Sequence, residues 1–472
     1  MAGAHGASAG GGPGPGPGKE APPLGRYSWA LFDWANQPFF TLITTFIFAP
    51  YFANVLVGDP VKGQAQWAFT QATSGVIIAL CSPFLGSMAD AAGRRKPYIL
   101  AFQIVLATGC FALWWAVPGR PDLVAVVAWA VVLATVGAEI SIVFNNAQLP
   151  NIVGPDKIGR LSGIGWGLGY CGGLLSLFIV LAVRDPAMLG LAPAGSPPLF
   201  GLDRATYDVE RLIGPATVLW MALFALPMFL FTPDGRATGL SVGAAARRGA
   251  SSLLATVKAL RGYRNAARFL VAFMIYNDGL TAVIAFGGVY AAATFGWTTT
   301  TLGVFGIILT VFATFGAFTG GRLDDAIGSK RTIQIAIVGV FIATLGILSV
   351  TDHSILFAVE TPRPAADRGM FGSPQEKVFM GFALILGICM GPMQAASRTM
   401  VGRLAPEGMT GEFYGLFALS GRATAFMAPL LIGVVTQVTD SNRGGLMVVL
   451  VFLAVGFAIL WTVREERAPR LH

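Results

Sequence analysis

The chain has 472 residues, 54% of them hydrophobic and only 12% charged, against about a quarter charged in an ordinary water-soluble domain. That balance excludes a soluble globule and places most of the length in lipid. The net charge of +8 is spread over short connections with no arginine-rich helix, which fits an anionic membrane surface and excludes nucleic acid as a partner.

Residues 1–25 form a Gly/Pro-rich tail expected to be disordered, without the apolar core of a signal peptide. Apolar stretches of spanning length then follow at 28–56, 67–89, 97–117, 122–147, 161–183 and 213–231, and again at 267–292, 298–319, 332–350, 376–398, 412–437 and 444–463. Twelve spans in two groups of six predict an all-α membrane protein. Its expected parts are bundles at 26–231 and 267–463, a polar, basic linker at 232–266 and a tail at 464–472. A short amphipathic surface helix is expected near 243–264 of the linker. The outer loops at 184–212 and 351–375 are long and charged, and no function is assigned to them.

Most of the Lys and Arg residues fall on one side if both termini are cytoplasmic, which is the positive-inside pattern. A multi-pass protein of a bacterial plasma (inner) membrane is the expected setting. Cys81, Cys110, Cys171 and Cys389 lie in apolar stretches without metal-ligand spacing. His5, His353 and His472 all lie outside the spans. No cofactor or metal is expected. No nucleophile, base and ligand set shares one depth, so an enzyme is not expected either.

Ionisable groups inside a span are costly unless they face a cavity or a partner, so each is a functional candidate. The first span carries Asp33-Trp34-Ala35-Asn36 and the seventh Tyr276-Asn277-Asp278-Gly279. These acid and amide sites echo one another and would face across a central cavity, or else cap helices at the interface. Glu139 lies near the middle of the fourth span and reads either as a proton carrier or as a salt-bridge partner of Arg422 or Arg398. Gln394 and Arg398 end the tenth span and Glu412 opens the eleventh, so Arg398 and Glu412 would pair across a short inner loop as a gate. In the fifth span Gly163, Gly165, Gly167, Gly169, Gly172 and Gly173 permit close approach or sliding of helices. They follow no strand, which removes a nucleotide-binding reading.

Two copies of one loop complete the pattern: Gly86-Ser-Met-Ala-Asp90-Ala-Ala-Gly93-Arg94-Arg95-Lys96, and Gly320-Gly-Arg-Leu-Asp324-Asp325-Ala-Ile-Gly328-Ser-Lys330-Arg331. They resemble the signature loop between the second and third helices of each half of the major facilitator superfamily. Together with Asp33 to Asn36, Asn145-Asn146, Tyr170 to Gly173, Gln394 to Arg398 and Glu412 to Gly415, they resemble the branch that contains the fungal vacuolar amino-acid effluxers. The resemblance implies two pseudo-symmetric six-helix bundles and alternating access without ATP hydrolysis. It also implies a cytoplasmic latch of Asp90 with Arg94 and Asp324 with Lys330. The second loop departs from that pattern in carrying two acids and an extra residue before Gly328.

The function expected is secondary transport of a small polar or amphipathic solute, amino acids among them. Asn36, Glu139, Asn277, Asp278 and Gln394 are the cavity candidates. Protons are the candidate coupling ion, through Asp33, Glu139 or Asp278, and membrane lipids are the surrounding partner. A lipid or lysolipid translocator and a non-transporting receptor are the alternatives.

Overall fold

In the computed structural model, residues 20–193, 195–258, 262–364 and 369–465 are described. Among them, twelve helices are long and apolar enough to cross a membrane: Pro23–Leu56, Lys62–Ala92, Lys96–Trp115, Pro121–Ile152, Ile158–Arg184, Asp208–Phe231, Arg264–Phe295, Thr300–Ile327, Ser329–Leu348, Pro374–Leu404, Thr410–Thr439 and Asn442–Trp461. They are the first to twelfth spans below. The strands among the described residues are one short pair, Ser354–Ile355 with Val359–Glu360, in the connection after the ninth span. The all-α, twelve-span fold read from hydropathy is therefore the fold observed.

Helix ends follow local chemistry. Ser373 and Glu376 form a reciprocal capping box at the start of the tenth span, and Ser441 caps the twelfth. The first helix begins at Pro23, where proline's missing N–H costs nothing. Most of the segment expected to form the tail, residues 1–19, lies outside the described residues, as do 466–472. Residues 20–25 are held: the Ala21 N–H donates to Ile152 O at 2.9 Å, and Glu20 pairs with Arg26 and Lys157 at 2.7 and 2.9 Å. The bond from Lys157 keeps the Glu20 carboxyl below the usual carboxylate range.

Two spans are irregular. The first passes into π-helix over Phe39–Phe46, just after Pro38, and again over Phe52–Leu56, just after Pro50. The Thr44 and Thr45 hydroxyls both donate to Phe40 O, at 2.7 and 2.8 Å. The eleventh span breaks between helices Thr410–Ala423 and Met427–Thr439. In the outer of those two pieces only Ala428 and Ile432 are buried.

The two halves meet where small residues let backbones touch. The fifth and eighth spans cross at Gly159, Gly163 and Gly321, and a Cβ on Gly163 would lie 2.5 Å from Ala317 O. The second and eleventh spans cross in the same way at Gly86, Gly411 and Gly415. A linker helix, Val242–Lys258, lies along the second span, with Gly249 O accepting from Ser87 Oγ at 2.9 Å.

Candidate functional site

A cavity of about 500 Å³ lies between the halves. Asp33, Asn36, Glu139, Asn277, Asp278 and Gln394 all border it, although they come from the first, fourth, seventh and tenth spans. Their chemistry within it differs.

Asp33 is committed to an ion pair. Arg398 donates through Nη1 to Asp33 Oδ2 at 2.7 Å and to Asn146 Oδ1 at 3.2 Å, and through Nε and Nη2 to Ser162 Oγ and O at 2.9 and 2.6 Å. The guanidinium lies 5.1 Å from the Trp29 ring centre and 5.7 Å from that of Trp166. This buried assembly ties the tenth span to the first, fourth and fifth, and it forms one wall of the cavity. Glu412 is not its partner, contrary to the sequence expectation. That carboxylate accepts from Ser87 and Ser252 at 3.1 and 3.2 Å, because the linker helix docks beside it.

Glu139 pairs with Arg422 across the cavity, joining the fourth span to the eleventh. Both side chains remain partly exposed. Arg422 lies at the C-terminal end of the inner helix of the broken span, next to Gly421. Asp278 is buried and makes no ion pair with any described residue, and its Oδ2 has no hydrogen-bond partner among them. Asn277, beside it, is partly exposed and borders the cavity.

The remaining two candidates bind their neighbours. Asn36 donates to Phe32 O at 3.0 Å and accepts from Gln103 at 2.9 Å, so its amide serves the packing of the first and third spans. Gln394 accepts from the Tyr170 hydroxyl and links the tenth span to the fifth. A smaller cavity of about 130 Å³ shares Gln37, Phe40 and Tyr170 with the large one and adds Phe46, Leu174 and Ile307 together with Thr41, Thr45 and Thr310, an annex of mixed character.

The signature loops close the end of the molecule where they lie. Asp90 accepts from the backbone N–H of Gly411 and Glu412 at 3.0 and 2.9 Å, the start of the eleventh span, and pairs with Arg95 at 2.7 Å. Arg94, the expected partner, is exposed. In the second half the equivalent acid is Asp325, which accepts from Gly159 and Arg160 N–H at 2.8 and 2.9 Å at the start of the fifth span. Each carboxylate thus sits on the positive end of a helix belonging to the other half. Asp324 instead pairs with Arg403 at 2.6 Å and accepts from Ser329 at 2.9 Å, within its own half. Lys330 does not reach Asp324, since its ammonium donates to Trp461 O and Val463 O at 2.8 and 2.7 Å.

A second matched pair escaped the sequence reading. Asp234, after the sixth span, accepts from Arg95 and Lys96 N–H at 3.0 and 3.1 Å. Glu465, after the twelfth, accepts from Ser329 and Lys330 N–H, both at 2.9 Å. Both acids lie in polar connections, where charge costs little and so carries no signal.

Twelve spans in two matched halves, latched at one end around a shared cavity with charged groups set in a mostly apolar wall, are the architecture of a transporter of the major facilitator superfamily. FucP in its outward conformation, a transporter of that superfamily, superposes with a TM-score of 0.67 at 13% identity, covering 94% of this chain and 98% of that one. The family model described as vacuole effluxer Atg22 like matches residues 53–160 and 156–471, and the chain belongs to that family.

The MFS-type transporter YxiO of Bacillus subtilis is 24% identical over 446 residues, 93% of this chain and 94% of that protein. Autophagy-related protein 22-1 of Aspergillus fumigatus is 22% identical over 325 residues, 66% of this chain, and the match spans about half (49%) of the fungal protein. The protein is a multi-pass secondary transporter that moves a small solute by alternating access.

Proposed function

We propose that the solute is zwitterionic and of amino-acid size, and that a proton travels with it through Asp278. The observation that carries this reading is that the partly exposed Glu139–Arg422 pair and the buried Asp278 border one cavity. A solute carboxylate would replace Glu139 on Arg422, and the solute ammonium would take Glu139 or Asp278. One zwitterion then satisfies both charges, whereas a solute of single charge strands the other partner in a poorly hydrated site. Phe40, Phe273, Phe286 and Phe417 border the same cavity and suit an apolar side chain, with the annex beyond as spare depth.

Asp278 is buried and has no cation paired with it among the described residues, which is why the proton is assigned to it. The latches shut the signature-loop end, and the outer helix of the eleventh span is little buried at the other. With the signature loops cytoplasmic, this is a form closed toward the cytoplasm.

Flux in proteoliposomes tests the proposal. Amino acids should exchange across the membrane and accumulate when a pH gradient is imposed. Asp278→Asn should keep exchange but lose gradient-driven accumulation, and Arg422→Gln should weaken solute binding at least about tenfold. Transport indifferent to the gradient over a wide pH range would refute the proton role. Competition by neutral sugars and not by amino acids would refute the solute class.

A further inference from the structure

At the signature-loop end, away from the central cavity, a cleft of about 560 Å³ lies between the start of the ninth span and the end of the twelfth. Lys330, Arg331, Gln334, Trp461, Arg464 and Glu465 border it. We infer that this cleft is a site for a phosphate-bearing anion, namely the headgroup of an acidic phospholipid.

The charge is uncommitted. Among the described residues the guanidinium groups of Arg331 and Arg464 have no acceptor, and both residues are exposed. The one acid, Glu465, is engaged by Arg403 at 2.9 Å and by the first N–H groups of the ninth span. Lys330 uses two of its three ammonium protons on Trp461 O and Val463 O, which leaves one for a ligand. Gln334 adds a buried amide nitrogen, Nε2, that has no acceptor among the described residues. Three cationic groups and an unsatisfied N–H donor thus converge on one cleft, and a phosphodiester offers oxygens for all of them.

The matching position in the first half is spent otherwise. Arg95 is paired with Asp90, and Lys96 donates to Phe229 O at 2.8 Å.

Depth favours a lipid over a soluble phosphate. Arg331 begins a stripe that continues through Ile335, Val338, Ile342 and Leu345, which are 54%, 45%, 50% and 41% exposed. Their spacing keeps them on one helix face, and exposed apolar side chains on a spanning helix face acyl chains. Trp461, 66% exposed, stands at the same level on the twelfth span. A headgroup in the cleft leaves its chains lying along that stripe, which free phosphate cannot use. Basic residues near span ends are common. The cleft, the unpaired guanidiniums and the orphan amide distinguish this set.

The test uses the full chain in mild detergent, titrated with phosphatidylglycerol or phosphatidylcholine and read by native mass spectrometry. The first phosphatidylglycerol should bind about thirtyfold or more tighter than phosphatidylcholine. In the variant Arg331→Gln/Arg464→Gln that affinity should fall about thirtyfold, two surface cations' worth, with phosphatidylcholine binding unchanged. Arg247→Gln/Arg248→Gln, which removes exposed cations of the linker helix, should bind as the parent does.

Equal phosphatidylglycerol affinity in parent and Arg331/Arg464 variant would overturn the site, and so would an equal loss in the linker variant. Displacement of phosphatidylglycerol by millimolar inorganic phosphate would overturn the lipid as the source. Quenching of Trp461 by brominated phosphatidylglycerol, taken as the difference between parent and Trp461→Phe, gives a second readout that does not depend on the arginine variants folding. Absence of that quenching would also overturn the proposal.

Discussion

Asparagine at position 325 should unlatch the two halves, whereas asparagine at 324 should not. Asp325 accepts two backbone N–H bonds at the start of the fifth span, which belongs to the other half. Hydrogen bonds to a charged group contribute about 1.5–3 kcal/mol net, and a charge on a partly buried helix end adds up to about 2 kcal/mol. The amide of Asp325→Asn would keep one neutral acceptor, so the loss is about 2–3 kcal/mol. That moves the balance between closed and open states by about 30-fold to 150-fold.

Asp324 is 1% exposed and bonded to Arg403 and Ser329 of its own half. Breaking that buried pair costs about 3–5 kcal/mol of fold stability; across the halves it loosens the bond from Arg403 to the neutral Pro155 O, at 3.3 Å, so it favours the open state less than loss of the Asp325 carboxylate does. Spin labels at Asp156→Cys and Glu407→Cys, exposed on connections of opposite halves at the latched end, report the separation by double electron–electron resonance in a background lacking the native cysteines. Asp325→Asn should add a longer distance at a near-parental melting temperature. Asp324→Asn should keep the short distance and melt lower. The reverse pattern would refute the assignment of Asp325 as the counterpart of Asp90.

Gly163→Val should likewise open the latched end, because a side chain there meets the backbone of Ala317 and Gly321; the same label pair reports it, and an unchanged distance would show that the crossing tolerates bulk. Arg398→Lys should fail to replace arginine, since an ammonium cannot reach Asp33, Asn146 and Ser162 at once while stacking between Trp29 and Trp166. Solute flux should fall at least about tenfold with a lowered melting temperature, and parental values of both would refute a structural need for the planar group.

The spans were legible because twenty apolar residues in a row have few other uses. The cavity acids were legible because lipid makes Asp33, Glu139 and Asp278 too costly to carry idly. The pairings were not. Asp90 stands three residues before Gly93 and Asp325 three before Gly328, and both glycines adopt positive φ, 79° and 103°, to end their helices. Counting back from those turns identifies Asp325 as the match, whereas counting forward from Gly86 and Gly320 selects Asp324. Arg95 and Arg94 are indistinguishable in composition, and only the direction of the chain after Gly93 decides which one turns inward. The π-helical stretches of the first span left no trace beyond Pro38, Pro50 and the Thr44-Thr45 pair.

The interruption at residues 424–426 of the eleventh span has a mechanical consequence. Its inner piece is fixed at its start by Asp90 and carries Arg422 at its far end, while the outer piece packs along the twelfth span, with Thr436 and Thr439 against Gly445 and Gly444. Under the proposed binding mode, a solute that draws Arg422 away from Glu139 would pull on the joint itself. On the proposed mechanism the thirteen-residue outer segment would close over the mouth together with the twelfth span it packs against, ahead of the halves reorienting, which separates occlusion from reorientation.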